Sequence, residues 1–132
     1  MAYVYRFLDV YDNVIYWYVG YTGQQMSERM QQHFTKGHLS KDCYSSVAKI
    51  EYIKFKTKSD AQVYETYFIN LYKPKFNKQN KRNDSLTITL DEKEWKTYQV
   101  LKKQVEKSEA SWGCLTWVLI TSLVYAIYQL LF

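Results

Sequence analysis

Every charged side chain of this 132-residue chain precedes Ala110, and from there to Phe132 the sequence is uncharged and dominated by Leu, Ile, Val and aromatic residues. A helix over 111–132 would extend roughly 30 Å, enough to cross a bilayer core. Trp112 and Trp117 stand near one end of the segment and Tyr125 and Tyr128 toward the other, where interfacial aromatic residues sit in membrane helices. Lys102, Lys103 and Lys107 precede it and nothing basic follows, so the positive-inside rule places the N-terminal part in the cytoplasm. The expectation is a single-pass C-terminal membrane anchor. The competing reading is a helix packed on its own domain, which Ser111, Thr116, Thr121, Ser122 and Gln129 would tolerate. A domain this small has little interior in which to hide a helix apolar on all sides. Met1 to Tyr11 includes Asp9 and lacks a basic-then-apolar layout, so no secretory signal is expected.

What precedes the apolar end is enough for one domain and too short for two. Lys and Arg number 18 against 13 Asp and Glu, and the net charge of +5 favours a polyanionic partner, nucleic acid or an anionic membrane surface. The two cysteines, Cys43 and Cys114, and the two histidines, His33 and His38, cannot supply a disulfide framework or a four-ligand zinc site. Any metal must be held mainly by oxygen.

Tyr3 to Val10 and Val14 to Tyr21 are rich in β-branched and aromatic residues and flank Tyr11, Asp12 and Asn13, which predicts a β-hairpin. A turn centred near Tyr11 and Asp12 brings Tyr5 beside Tyr18. Gly20 and Gly23 end the second strand, and Thr22 with Gln25 forms a capping box for a helix through about Phe34. On that helix Met26, Met30 and Phe34 form an apolar stripe, and Arg29 and His33 adjoin it. A third strand is expected over 46–56. Ser59 with Gln62 predicts the start of a helix from Asp60 to Tyr72, which stops before Pro74. Its Glu65 has Ala61, Phe68, Ile69 and Tyr72 as helical neighbours, which embeds a carboxylate in an apolar face. Residues 80–110 read as a polar linker, a short strand over Leu86–Leu90 and an amphipathic helix. Asp91 and Glu94 cap that helix, and Trp95, Tyr98, Leu101 and Val105 form its stripe. The expected fold is α+β, a central three-stranded antiparallel sheet flanked by helices, followed by the transmembrane-like helix.

An ordered set of residues lies on this pattern: Tyr3-Val4-Tyr5 and Tyr18-Val19-Gly20 on the paired strands, Arg29 and His33 on the first helix, then Ala61, Glu65, Ile69, Pro74 and Asn77. In this order and spacing the chain resembles the GIY-YIG nuclease superfamily over residues 3 to about 79. Val4 and Val19 replace the motif isoleucines harmlessly, whereas Tyr3 replaces the opening glycine and bears on the geometry of the first strand. The resemblance makes residues 1–79 a nuclease-like domain, 80–110 a connector and 111–132 an added segment.

The resemblance implies metal-dependent hydrolysis of phosphodiester bonds. Tyr18 takes part in activating the attacking water and Tyr5 hydrogen-bonds beside it. Arg29 grips phosphate oxygens and lowers the phenol pKa, which is near ~10 in a free tyrosine. Glu65 holds one divalent ion, Mg²⁺ or Mn²⁺. His33 assists proton transfer or contacts phosphate, and Gly20 and Asn77 support the site. Lys54, Lys56, Lys73, Lys75 and Lys78, interleaved with Phe55 and Phe76, are expected to contact nucleic acid, with DNA as the substrate. The competing class is an inactive, membrane-anchored module that binds nucleic acid or another partner with the same fold.

Overall fold

The computed structural model describes residues 1–10, 13–101 and 125–129. Two long strands open the chain, β1 (Ala2–Asp9) and β2 (Ile15–Thr22). Helices α1 (Met26–Lys36) and α2 (Lys41–Ser46) follow, then β3 (Lys49–Phe55), α3 (Lys58–Tyr72) and β4 (Lys96–Val100). The sheet is antiparallel with four strands in the order β2-β1-β3-β4.

Alternation along β1 sorts the core into two halves. Ala2 and Val4 join Val19, Ile53 and Phe55 against Ala61, Phe68 and Ile69 of α3. Tyr5 and Phe7 join Ile50 on the opposite face, against Met26 and Met30 of α1 and Cys43 of α2. Phe34 continues the expected stripe but stays 42% exposed. The outer edge of β2 is closed by backbone bonds from Lys75 N–H to the Tyr16 carbonyl and from Phe76 N–H to the Trp17 carbonyl, 3.2 and 2.8 Å.

The structure departs from the expected elements in identifiable ways. Tyr5 pairs with Gly20, and Tyr18 pairs with Phe7. Asp9 pairs with Ile15, one residue beyond the register of a turn at Tyr11 and Asp12, and a bulge between Phe7 and Leu8 skips Trp17, so Tyr5 meets a partner two residues beyond Tyr18. The sheet has four strands, not three, because the segment expected as a helix from Asp91 is extended where it meets the open edge of β3. The ladder supplies hydrogen bonds, extended by Leu101 N–H to the Ala48 carbonyl at 2.8 Å. Trp95 and Tyr98 are three residues apart in extended chain, so alternation packs Trp95 on Phe68 and Tyr98 on Tyr52, on opposite halves of the core. Leu86–Leu90 is not a strand; with no partner strand among the described residues it lies along the outer face of α3, where it shares a groove with Val63 and Tyr67.

Helix starts also moved. Gln25 caps α1 without a side-chain bond, because the Thr22 hydroxyl accepts from Gln24 N–H instead. Thr57 caps α3 through Asp60 N–H, two residues before the expected Ser59. The third strand is shorter than 46–56 because Ser40 caps the unanticipated α2, accepting from Cys43 N–H. The expected membrane helix over 111–132 lies outside the described residues except for 125–129, which are helical. Among the described residues no helix is long and apolar enough to cross a membrane.

One buried ion pair crosses the sheet. Arg6 Nε and Nη2 donate to Glu51 Oε1 at 2.9 and 2.7 Å, and Lys49 Nζ lies 3.3 Å from Oε2. The Arg6 guanidinium sits 4.0 Å from the centroid of the Trp95 ring. Glu51→Ala removes the carboxylate and leaves that cation unpaired. It should lower stability by about 3–5 kcal/mol in urea unfolding; a loss below about 1 kcal/mol would show that the pair contributes little.

Candidate active site

The site grows from one close approach. Tyr5 and Gly20 are cross-strand partners, and a Cβ on Gly20 would lie 2.6 Å from the Tyr5 hydroxyl and 2.9 Å from Tyr18 Cε1. The absent side chain lets the two phenols lie diagonally across the strands, their ring centroids 6.2 Å apart. Tyr5 is fully buried. Arg29 Nε donates to its hydroxyl at 3.1 Å, and His33 Nε2 lies 2.7 Å from the same oxygen. His33 Nδ1 lies 2.9 Å from the Tyr44 hydroxyl, which also accepts from Leu39 N–H at 3.3 Å. Arg29 and His33 are one helical turn apart on α1, so both reach Tyr5 from the same face.

His33 is 2% exposed, which removes the expected contact with phosphate. Burial first, then the charges of Arg29 and His38, lower its pKa to about 4, so the ring is neutral at ordinary pH and can bridge two phenols. The expected lowering of the tyrosine pKa is also corrected. Burial pushes Tyr5 far above its usual value, with Tyr18 adding to the rise and Arg29 offsetting only part of it. Tyr18 is pushed up to about 12 by burial and by the Glu65 carboxylate, against the lowering effect of Arg29. One guanidinium does not outweigh desolvation plus a neighbouring carboxylate.

Tyr18 and Glu65 both line a cleft of about 520 Å³. Glu65 is half-buried, and its pKa rises to about 7 because burial disfavours the carboxylate, with the Tyr21 backbone N–H opposing in part. Among the described residues it makes no ion pair. The fold thus brings a carboxylate from α3 to a tyrosine from the edge strand β2.

Asn77 holds that edge in place. Its Oδ1 accepts from Val19 N–H and its Nδ2 donates to the Val19 carbonyl, both at 2.8 Å. Its support for the site is thus given through β2. Lys73 is the left-handed C-cap of α3, at φ 49°, and its Nζ donates to the carbonyls of Arg82 and Asp84. Lys75 lies over Trp17 and Phe76, and Lys78 lines the cleft. Lys54 is exposed opposite Tyr3 on β3, and Lys56 is exposed just beyond the strand. Of the five expected lysines, only Lys78 lines the cleft. Tyr3, in place of the motif glycine, packs edge-on to Tyr52, and its hydroxyl reaches Gln25 Oε1 at 3.5 Å.

Two side chains at the site were absent from the expected set. His38 is exposed in the cleft wall, its ring centroid 6.0 Å from that of Tyr18. Tyr44 arrives on α2. His38 carries no periodic signal because it stands in a loop, and the six residues of α2 are too few to mark Tyr44 by period.

The GIY-YIG catalytic domain model matches residues 1–83. Among curated proteins and among solved structures, nothing matches the chain.

The raised pKa of Glu65 links stability to pH. Its stabilising contribution is fully present below about 4.5, where both states hold the proton, and is lost as pH rises to about 7. Without metal, Glu65→Gln should therefore raise the melting temperature relative to the wild type increasingly between pH 4.5 and 7, with a plateau above. The wild-type minus variant difference isolates Glu65 from His33, whose shift acts in the opposite direction. A difference that is flat with pH would contradict the assigned pKa.

Proposed function

The chain belongs to the GIY-YIG family, and from that membership we propose that it is a divalent-metal-dependent endonuclease hydrolysing phosphodiester bonds of nucleic acid, with DNA as its substrate. The observation that carries this reading is the convergence of Tyr18 and Glu65 on one cleft, backed by Arg29 through Tyr5. Members of the family are nucleases and generally require a divalent metal, usually Mg²⁺.

Glu65 fits the role of metal ligand. A half-buried carboxylate with its pKa at about 7 and no ion pair among the described residues gains from a nearby cation. No three His, Cys, Asp or Glu side chains converge among the described residues. The ion would therefore be held by Glu65 with water and phosphate oxygens, a donor set suited to Mg²⁺ or Mn²⁺. When bound, it would supply a Lewis acid for the leaving oxygen and neutralise the carboxylate charge that raises Tyr18.

The chain's own residues supply the rest. The Tyr18 hydroxyl, facing the cleft, orients the attacking water and takes part in moving its proton. Arg29 contributes fixed positive charge next to the reacting phosphate, and its Nε keeps Tyr5 in place behind Tyr18. His33 holds the other side of the Tyr5 hydroxyl. Lys78 and the exposed Lys54 and Lys56 contact the nucleic acid backbone, which carries no sequence information.

Residues 111–132 complete the proposal as a membrane anchor with the catalytic domain on the cytoplasmic side. Support comes from the lack of charge, the flanking aromatic residues and the lysines that precede the segment. On fractionation the protein should pellet with membranes and be released by detergent but not by high salt; recovery without detergent would end the anchor reading.

The full chain in detergent should nick plasmid DNA with Mg²⁺ or Mn²⁺. EDTA, Glu65→Ala and Tyr18→Phe should each slow nicking by about 100-fold or more. Binding without cleavage, unaffected by either substitution, would instead identify a nucleic-acid-binding module that keeps the fold without the activity.

A further inference from the structure

The cleft is larger and less polar than a grip on one phosphate requires. Beyond Tyr18 and Glu65 its walls include Phe76 and Leu39, and the exposed amides Gln79 and Asn80 line it as well. A ring for stacking, an aliphatic wall and amides able to donate and accept are the components that hold a nucleobase.

Phe76 is held rigidly. Its N–H donates to the Trp17 carbonyl at 2.8 Å, and the next residue, Asn77, is bonded twice to Val19. Its ring leans on Trp17, with centroids 5.9 Å apart, and Lys75 Nζ lies 5.5 Å from its centroid. The following loop is anchored too. Buried Asn70 donates to the Asn80 carbonyl and accepts from Arg82 N–H, both at 2.7 Å. A platform already immobilised in this way loses little entropy on binding.

We infer that the cleft receives one unstacked nucleobase next to the scissile phosphate, stacked on Phe76 and contacted at its edge by Gln79 and Asn80. In a continuous duplex the bases are stacked and paired, so an outside surface meets the backbone and the groove edges of the bases but not their faces. To reach Phe76 a base must be unpaired or extruded. The substrate class is thus nucleic acid with an unpaired nucleotide at the cut: a single strand, a gap or a mismatch. The inference rests on the nuclease reading for the placement of the phosphate beside Tyr18 and Glu65.

The test is binding of the full chain in EDTA to oligonucleotides carrying 2-aminopurine, either fully paired, at a mismatch or in a single strand, each made as DNA and as RNA. An unpaired probe should bind about tenfold or more tightly than the paired one, with its fluorescence rising as the base leaves its neighbours for the pocket. Phe76→Leu, which keeps apolar volume without the aromatic ring, should abolish both the preference and the rise. Phe76 also packs against the core, so Asn80→Gly is the second variant. The Asn80 backbone has φ 60°, which glycine accepts, and loss of its amide should weaken the preference while the melting temperature is kept. Equal affinity for paired and unpaired probes, or a preference unchanged in both variants, would overturn the pocket. A Mg²⁺ arm separates the two readings: cleavage with no preference keeps the nuclease and removes the pocket. A preference lost in the variants, without cleavage of any substrate, keeps the pocket and removes the nuclease.

Discussion

The rest of the site depends on how the buried hydroxyl of Tyr5 is satisfied. A phenol with no access to water needs partners. Its partners, Arg29 and His33, lie one turn apart on α1. Those bonds orient α1 against β1. Through His33 and Tyr44 they extend to α2, and through the space left by Gly20 they admit Tyr18 beside Tyr5. Position is thereby passed from a core hydrogen-bond network to a cleft-facing phenol, as a preorganised site requires.

Two acidic residues show what the fold does with negative charge. Glu51 is buried and receives Arg6 and Lys49, and Arg6 is covered in turn by Trp95. Glu65 is half-buried, unpaired among the described residues and raised to about 7. The first belongs to the stability of the sheet. The second is a local conflict placed at the mouth of a cleft, the arrangement expected of a group that acts on something from outside.

Much of the architecture is legible in the residues themselves. The alternating β-branched and aromatic runs mark β1 and β2, Met26 and Met30 mark the buried face of α1, and Pro74 limits α3. Glu65 stands out because its helical neighbours are apolar. Less legible were the details that arise from competition between partners. The Asp91 and Glu94 capping signal and the three-residue spacing of Trp95 and Tyr98 suggest a helix. The open edge of β3 offers a ladder and places those two rings on opposite faces instead. Tertiary pairing overrode local propensity there. The burial of His33 depended on α2, whose six residues are too few to show a period.

The sequence by itself determined the order of the elements and the chemical groups each would carry, because side-chain periodicity and the ordered landmarks from Tyr5 to Asn77 are local properties of the chain. Tertiary structure decided the register and the bulge that together pair Tyr5 with Gly20, the fourth strand, and the neutral His33 buried behind the site. It also decided the direction in which Tyr18 and Glu65 are shifted. Each of those depends on which distant group removes water or supplies charge, and desolvation and Coulomb energy are set by distances in space rather than by spacing along the chain.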